Sequence, residues 1–244
     1  MNRILVALDV ASAAEALSLT DRLRGTVGGF KIGKQLFTAE GPSIVRALSS
    51  RGDRVFLDLK FHDIPNTVSG AVGAAAATGA WMINVHAAGG RKMMEAAAAA
   101  AVVAGRTGAR PLVTAVTVLT SLDGPQLAET GVHDSPLDQV RRLALLARAA
   151  GLDGVVASPL EITAIREACG PDFLVVTPGI RATAAGVAGD DQTRTLSPAE
   201  AIEAGASYVV IGRPITAAAD PRAAAEQIAA DIARVSSRPA ASTR

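Results

Sequence analysis

Short runs of β-branched and apolar residues alternate with longer Ala- and Leu-rich amphipathic stretches from one end of the chain to the other. This alternation narrows the fold more than any other feature, because it is the pattern of repeated strand–helix units around a parallel sheet. The runs fall at residues 4–9, 29–33, 55–60, 81–86, 111–118, 154–157, 173–177 and 208–211. Eight units in 244 residues are the order and size of a (β/α)8 TIM barrel, an α/β fold. A doubly wound open sheet is the competing arrangement, but it usually opens on a Gly-rich first turn. Here the first turn reads LDVASAAEA, with Ser12 placed as a helix N-cap and Glu15 as its capping-box partner. The alanine runs at 71–80 and 96–101 are strong helix formers and read as outer-ring helices. No Pro/Gly/Ser linker divides the chain, so residues 1–236 are expected to form one catalytic barrel domain. Residues 237–244, SRPAASTR, lack apolar periodicity and read as a frayed tail.

Composition excludes several function classes. Net charge is +1 with no basic or acidic block, which argues against nucleic acid and membrane surfaces as partners. No apolar stretch approaches a membrane span. One cysteine and an apolar start interrupted at Asp9 predict a reducing cytoplasmic location. The three histidines have no HxH or HxxxH spacing, so no metal site is expected.

Charge appears where an apolar strand should have none. In VFLDLKFHDIPNT, at 55–67, Asp58 and Lys60 lie two apart in a strand-like run, so a regular strand would point them the same way. Asp63 follows three residues later, just before Ile64-Pro65 marks a helix start. A charge in such a run is costly unless paired. Two readings are open: a buried ion pair with Asp63 as a helix cap, or a reactive DxKxxD array. Lysine usage bears on the choice. The chain has 24 Lys and Arg residues, of which only Lys31, Lys34, Lys60 and Lys92 are lysine. Arg is the default cation, so Lys in an apolar run points to something Arg cannot do, namely release a proton. Lys31, in GGFKIG, and Lys60 both sit in such runs.

Reactive groups of a barrel gather at the carboxyl ends of its strands. Asp9 ends the first run, Lys31 lies in the second, Asp58 and Lys60 end the third, and Thr120 follows the fifth. Two long connections, 120–136 and 181–198, are rich in Gly, Asp and Ser, and read either as surface loops or as lids over the barrel mouth. TPGIR at 177–181 and IGRPI at 211–215 place Arg181, Gly212 and Arg213 where barrels often hold a phosphate.

With these motifs the chain resembles the orotidine 5'-phosphate decarboxylase family. The resemblance runs through ALD at 7–9, FKIG at 30–33, FLDLKFHDIPNTV at 56–68, VTVLTS at 116–121, TPGIR, DDQTR at 190–194 and IGRPI, with no departure at a motif position. It implies conversion of orotidine 5'-phosphate to uridine 5'-phosphate, without a cofactor, by a homodimeric barrel whose active sites are shared across the interface. It also implies roles: Lys31, Asp58, Lys60 and Asp63 as an alternating charge array, with Asp63 and Thr67 contributed by the partner subunit. Asp9 and Lys31 would hold the ribose, Thr120 would lie near the pyrimidine, and Gln192, Gly212 and Arg213 would hold the phosphate with Arg181 close by. Two rivals stand beside it. Mg2+-dependent sugar-phosphate decarboxylases resembling 3-keto-gulonate-phosphate decarboxylase share the barrel and DxKxxD, but carry an acidic residue where this chain has Lys31. A non-catalytic phosphate-binding barrel would have no reason to keep a costly charge array.

Overall fold

A computed structural model describes residues 2–180 and 196–236. Eight parallel strands close into a barrel in sequence order: β1 (Ile4–Ala7), β2 (Gly29–Gly33), β3 (Val55–Phe61), β4 (Met82–His86), β5 (Leu112–Val116), β6 (Gly154–Val156), β7 (Leu174–Thr177) and β8 (Tyr208–Ile211). β8 returns to β1 with Ile4 opposite Val209. The eight expected strand runs are therefore the eight strands, and the barrel, not the open sheet, is the fold.

Alternation along each strand divides the apolar residues into two cores. Leu5, Ala7, Phe56, Met82, Val116, Val156, Val176 and Val210 fill the barrel interior. Ile4, Val6, Leu8, Ile32, Leu57, Ile83 and Val155 face outward into a second layer against the helices. In that layer the helices Pro65–Ala76 and Arg91–Ala104 pack side by side, their alanines permitting close approach. At the amino-terminal end of the barrel, Trp81 meets Tyr208 edge-on at 5.3 Å between ring centroids, and the Arg54 guanidinium stands 5.3 Å from the Trp81 ring. That end is plugged by aromatic packing. The charged strand-end residues Asp9, Lys31, Asp58 and Lys60 lie at the other end.

Two local expectations are refined. Ser12 does accept from the Glu15 N–H, but the Glu15 carboxylate takes the Ala11 N–H rather than that of Ser12, so the box is displaced by one residue. The long connection after β5 contains a short helix, Gly124–Glu129, held by a reciprocal Asp123–Gln126 capping box. The last described helix is Pro221–Ser236. The expected tail, 237–244, and most of the second long connection, 181–195, lie outside the described residues.

Candidate active site

The carboxyl end of the barrel holds a cavity of about 360 Å³, lined by Asp9, Lys31, Asp58 and Lys60 together with Thr120, Gly212 and Arg213, Gly212 standing beside Asp9 because β8 pairs with β1. Phe56, Val116, Val156, Ile180 and Val210 form its apolar floor and walls. Strand ends supply the first set, and the stubs that follow β5 and β8 supply the second.

The charges alternate in space in the order in which they occur along the chain. Lys31 Nζ lies 3.3 Å from Asp9 Oδ1 and 3.6 Å from Asp58 Oδ2, while Lys60 Nζ lies 2.6 Å from Asp58 Oδ1. The row therefore reads Asp9, Lys31, Asp58, Lys60. Asp58 is its most enclosed carboxylate, with 13 % side-chain exposure against 61 % for Asp9. Burial alone pushes the Asp58 carboxyl up, but the Lys31 and Lys60 ammonium groups and hydrogen bonds from Lys60 and Asn84 outweigh it. Its pKa lies below the ordinary carboxylate value, so it is ionised at neutral pH. Taking a carboxylate out of water costs several (~) kcal/mol, and only this close pairing offsets it.

β3 does not reach this geometry as a regular strand. Leu57 pairs with Ile83, but the next pair is Phe61 with Val85, so four residues on β3 advance against two on β4. The chain bulges between them, and Lys60 takes a left-handed backbone with φ 55°, alone among the described non-glycine residues. The expectation that Asp58 and Lys60 face the same cavity holds, but the bulge aims them, not the two-residue period of a strand. Asn84, fully buried on β4 opposite the bulge, occupies the gap and was missed by sequence reasoning. A lone Asn between Ile83 and Val85 in an apolar strand was the signal available.

Gly33, at the end of β2, leaves room for this row. A Cβ there would stand 2.9 Å from Lys31 Nζ and 3.4 Å from Asp9 Oδ1.

Asp63 and Thr67 are not brought to the cavity. Residues 62–67 are all exposed, including Ile64 at 67 %. Asp63 Oδ1 accepts the Ile64 N–H at 2.6 Å. The helix Pro65–Ala76 has Ile64 as its N-cap and no side-chain cap, so Asp63 does not cap it. Arg181 and Gln192 lie outside the described residues. Among the described residues no group of three or more His, Cys, Asp or Glu side chains is arranged to hold a metal ion.

The sequence profile of the "Orotidine 5'-phosphate decarboxylase / HUMPS family" matches residues 2–228. The chain belongs to this family. Within it, the chain is 57% identical to the orotidine 5'-phosphate decarboxylase of Moorella thermoacetica, over 96% of this chain and 93% of that one. It is 55% identical to that of Alkalilimnicola ehrlichii, over 95% and 97%. Among solved structures, the orotidine 5'-phosphate decarboxylase of Lactobacillus acidophilus superposes with a TM-score of 0.84 at 37% identity, over 95% of this chain and 99% of that one. The family profile covers every described residue named above that lines the cavity.

Proposed function

We propose that this chain decarboxylates orotidine 5'-phosphate to uridine 5'-phosphate, the step that completes the pyrimidine nucleotide, and that it does so without metal or organic cofactor. The observation that carries the reading is the row Asp9, Lys31, Asp58, Lys60 in a cavity that Thr120, Gly212 and Arg213 also line. Relatives that bear this activity's name at 57% and 55% identity support it.

The chemistry asks for fixed charge. When the C6–carboxylate bond breaks, its electron pair stays on C6, in an orbital that no neighbouring carbonyl delocalises. The Lys60 ammonium stabilises that carbanion as it forms and then transfers a proton from Nζ to C6, after which solvent reprotonates the amine. Asp58, 2.6 Å away, keeps Lys60 charged and aimed until that moment. Lys31 neutralises the other Asp58 oxygen and, with Asp9, offers partners to the ribose hydroxyls. Gly212 and Arg213 take the phosphate together with Gln192 and Arg181. Contacts so far from C6 contribute to kcat by closing the site around the substrate. An ammonium between Asp9 and Asp58 also stands where a divalent cation would need open carboxylates.

The working unit in this reading is a cytoplasmic homodimer. What supports it is the run 62–67, exposed in the single chain although it carries Asp63, Thr67 and the apolar Ile64. Across a two-fold axis each subunit's run reaches the other's cavity, where Asp63 extends the charge row beyond Lys60 and Thr67 completes the ribose side.

The test is the loss of orotidine 5'-phosphate absorbance with the pure protein, with and without a chelator. Turnover indifferent to the chelator is expected. Turnover abolished by the chelator would turn the assignment toward a metal-dependent lyase, and tight binding without turnover toward a non-catalytic barrel.

A further inference from the structure

We infer that Asn84 is a positioning residue for the proposed reaction: its side-chain amide ties the Asp58 carboxylate to the bulged backbone of Lys60. The inference rests on Asp58 and Lys60 being the reacting pair, and it concerns a residue that lies outside the cavity wall.

The register shift creates the need. Between Leu57 and Phe61 the β3 backbone leaves its ladder with β4, so the Lys60 N–H loses the strand partner that a regular sheet would give it. Asn84 supplies one. Lys60 donates its backbone N–H to Asn84 Oδ1 at 2.8 Å, and Asn84 Nδ2 donates to Asp58 Oδ1 at 2.7 Å. The same Oδ1 accepts from Lys60 Nζ at 2.6 Å. One amide thus closes a ring that runs from the Lys60 backbone, through Asn84 and Asp58, to the Lys60 ammonium.

The donor and acceptor requirements make the residue type specific. An N–H on one side demands an acceptor, and a carboxylate on the other demands a donor. Asn meets both with one rigid group. Asp at this place would accept from Lys60 but set a second negative charge against Asp58. A left-handed Lys is a strained conformation that persists only when its surroundings over-determine it. Asn84, with no exposed surface, is the group opposite the bulge that holds it. Hydrogen bonding from Asn84 also favours the ionised form of Asp58.

The test compares wild type with Asn84→Ala and with the near-isosteric Asn84→Asp. Kinetics with orotidine 5'-phosphate are set beside a carboxyl 13C titration of Asp58, which needs no turnover. In both variants kcat is expected to fall about tenfold or more while KM changes little, a decade being about 1.4 kcal/mol of transition-state stabilisation. The Asp58 carboxyl is expected to titrate at higher pH in each variant. If Asn84→Ala fails to fold, Asn84→Asp, which keeps the volume, gives the answer. A kcat within about twofold of wild type, or an Asp58 carboxyl that titrates where it does in wild type, overturns the inference, since a purely structural residue would lower thermal stability and leave both unmoved. Wild-type protein that does not turn over the substrate defeats the decarboxylase reading instead, and the Asp58 titration still decides the role of Asn84.

Discussion

Lys60 Nζ lies 2.6 Å from Asp58 Oδ1, yet the backbone joining them turns left-handed at Lys60, with φ 55°. Lys60 is thus held in a conformation that glycine would adopt more easily. Stability and activity should separate there. Lys60→Ala, Lys60→Gly and Lys60→Arg should all lack measurable turnover, the first two because the ammonium is gone and the third because Arg keeps its proton. Lys60→Gly should be more stable than Lys60→Ala by a few tenths to about 1 kcal/mol, the left-handed penalty less the greater flexibility of glycine in the unfolded chain. Thermal denaturation of the pair measures this. A variant of Lys60 that keeps a tenth of the activity, a loss of only ~1.4 kcal/mol, would remove it as the proton donor.

Gly33 gives a second separation, in the opposite sense. Its backbone, φ −90° and ψ −178°, suits any residue, so Gly33→Ala carries no conformational strain. The added Cβ meets the end of a flexible lysine, Lys31 Nζ at 2.9 Å, and that ammonium can move aside. Gly33→Ala should therefore melt within a few (~) degrees of wild type, like other substitutions away from packed backbone, yet lose activity because Lys31 is pushed off Asp58. Full activity would mean that the position of Lys31 is not critical.

The chain shows what a sequence carries and what it does not. The barrel was legible because strand and helix periods alternate eight times, and the strand ends collected Asp9, Lys31, Asp58, Lys60 and Thr120 at one mouth. The bulge was not legible. VFLDLKF reads as an unbroken strand, and only the pairing of Phe61 with Val85 reveals two extra residues, because register is a property of two strands and not of one. Asn84 stood out only as a lone Asn in an apolar strand, and its role was not legible for the same reason: its partners come from the bulge opposite, 24 and 26 residues away. Asp63 is harder still, since it does not line the cavity at the carboxyl end of the barrel.

Stability should also depend on His86. This half-buried residue ends β4 with its ring centroid 5.6 Å from that of His62. Burial first, then the charges of His62, Lys60 and Lys34, hold its imidazole below the ordinary 6.5, with Asp58 pulling weakly the other way. In the unfolded chain it titrates near the ordinary value. Between the folded and unfolded values the unfolded state therefore binds more protons, and stability rises with pH. The residue costs nothing above the unfolded value and costs progressively more as pH falls below it, until the folded form is protonated as well. His86→Gln should accordingly lose less melting temperature than wild type on acidification from about pH 7.5 to 5.5, a window that brackets the unfolded pKa. Identical slopes for the two proteins would rule His86 out as the source of the acid sensitivity.

The last prediction asks whether one short motif serves two sites. Lys60 points into the cavity, while Asp63, three residues on, is exposed and bonded only to the adjacent Ile64 N–H among the described residues. If Asp63 belongs to the neighbour's cavity, the neighbour's Asp63 must belong to this one, because a two-fold axis makes the exchange reciprocal. Lys60→Ala and Asp63→Ala proteins, each nearly inactive alone, should then regain activity when mixed and allowed to exchange subunits. A mixed dimer has one site with both residues intact and one site lacking both. Random exchange at equal amounts makes about half of the dimers mixed, so about a quarter of all sites recover. Had both residues served the cavity of their own subunit, every site in every dimer would lack one of them. Activity near a quarter of wild type, with exchange followed independently by tagged subunits, would place Asp63 across the interface, and no recovery despite complete exchange would return it to its own chain.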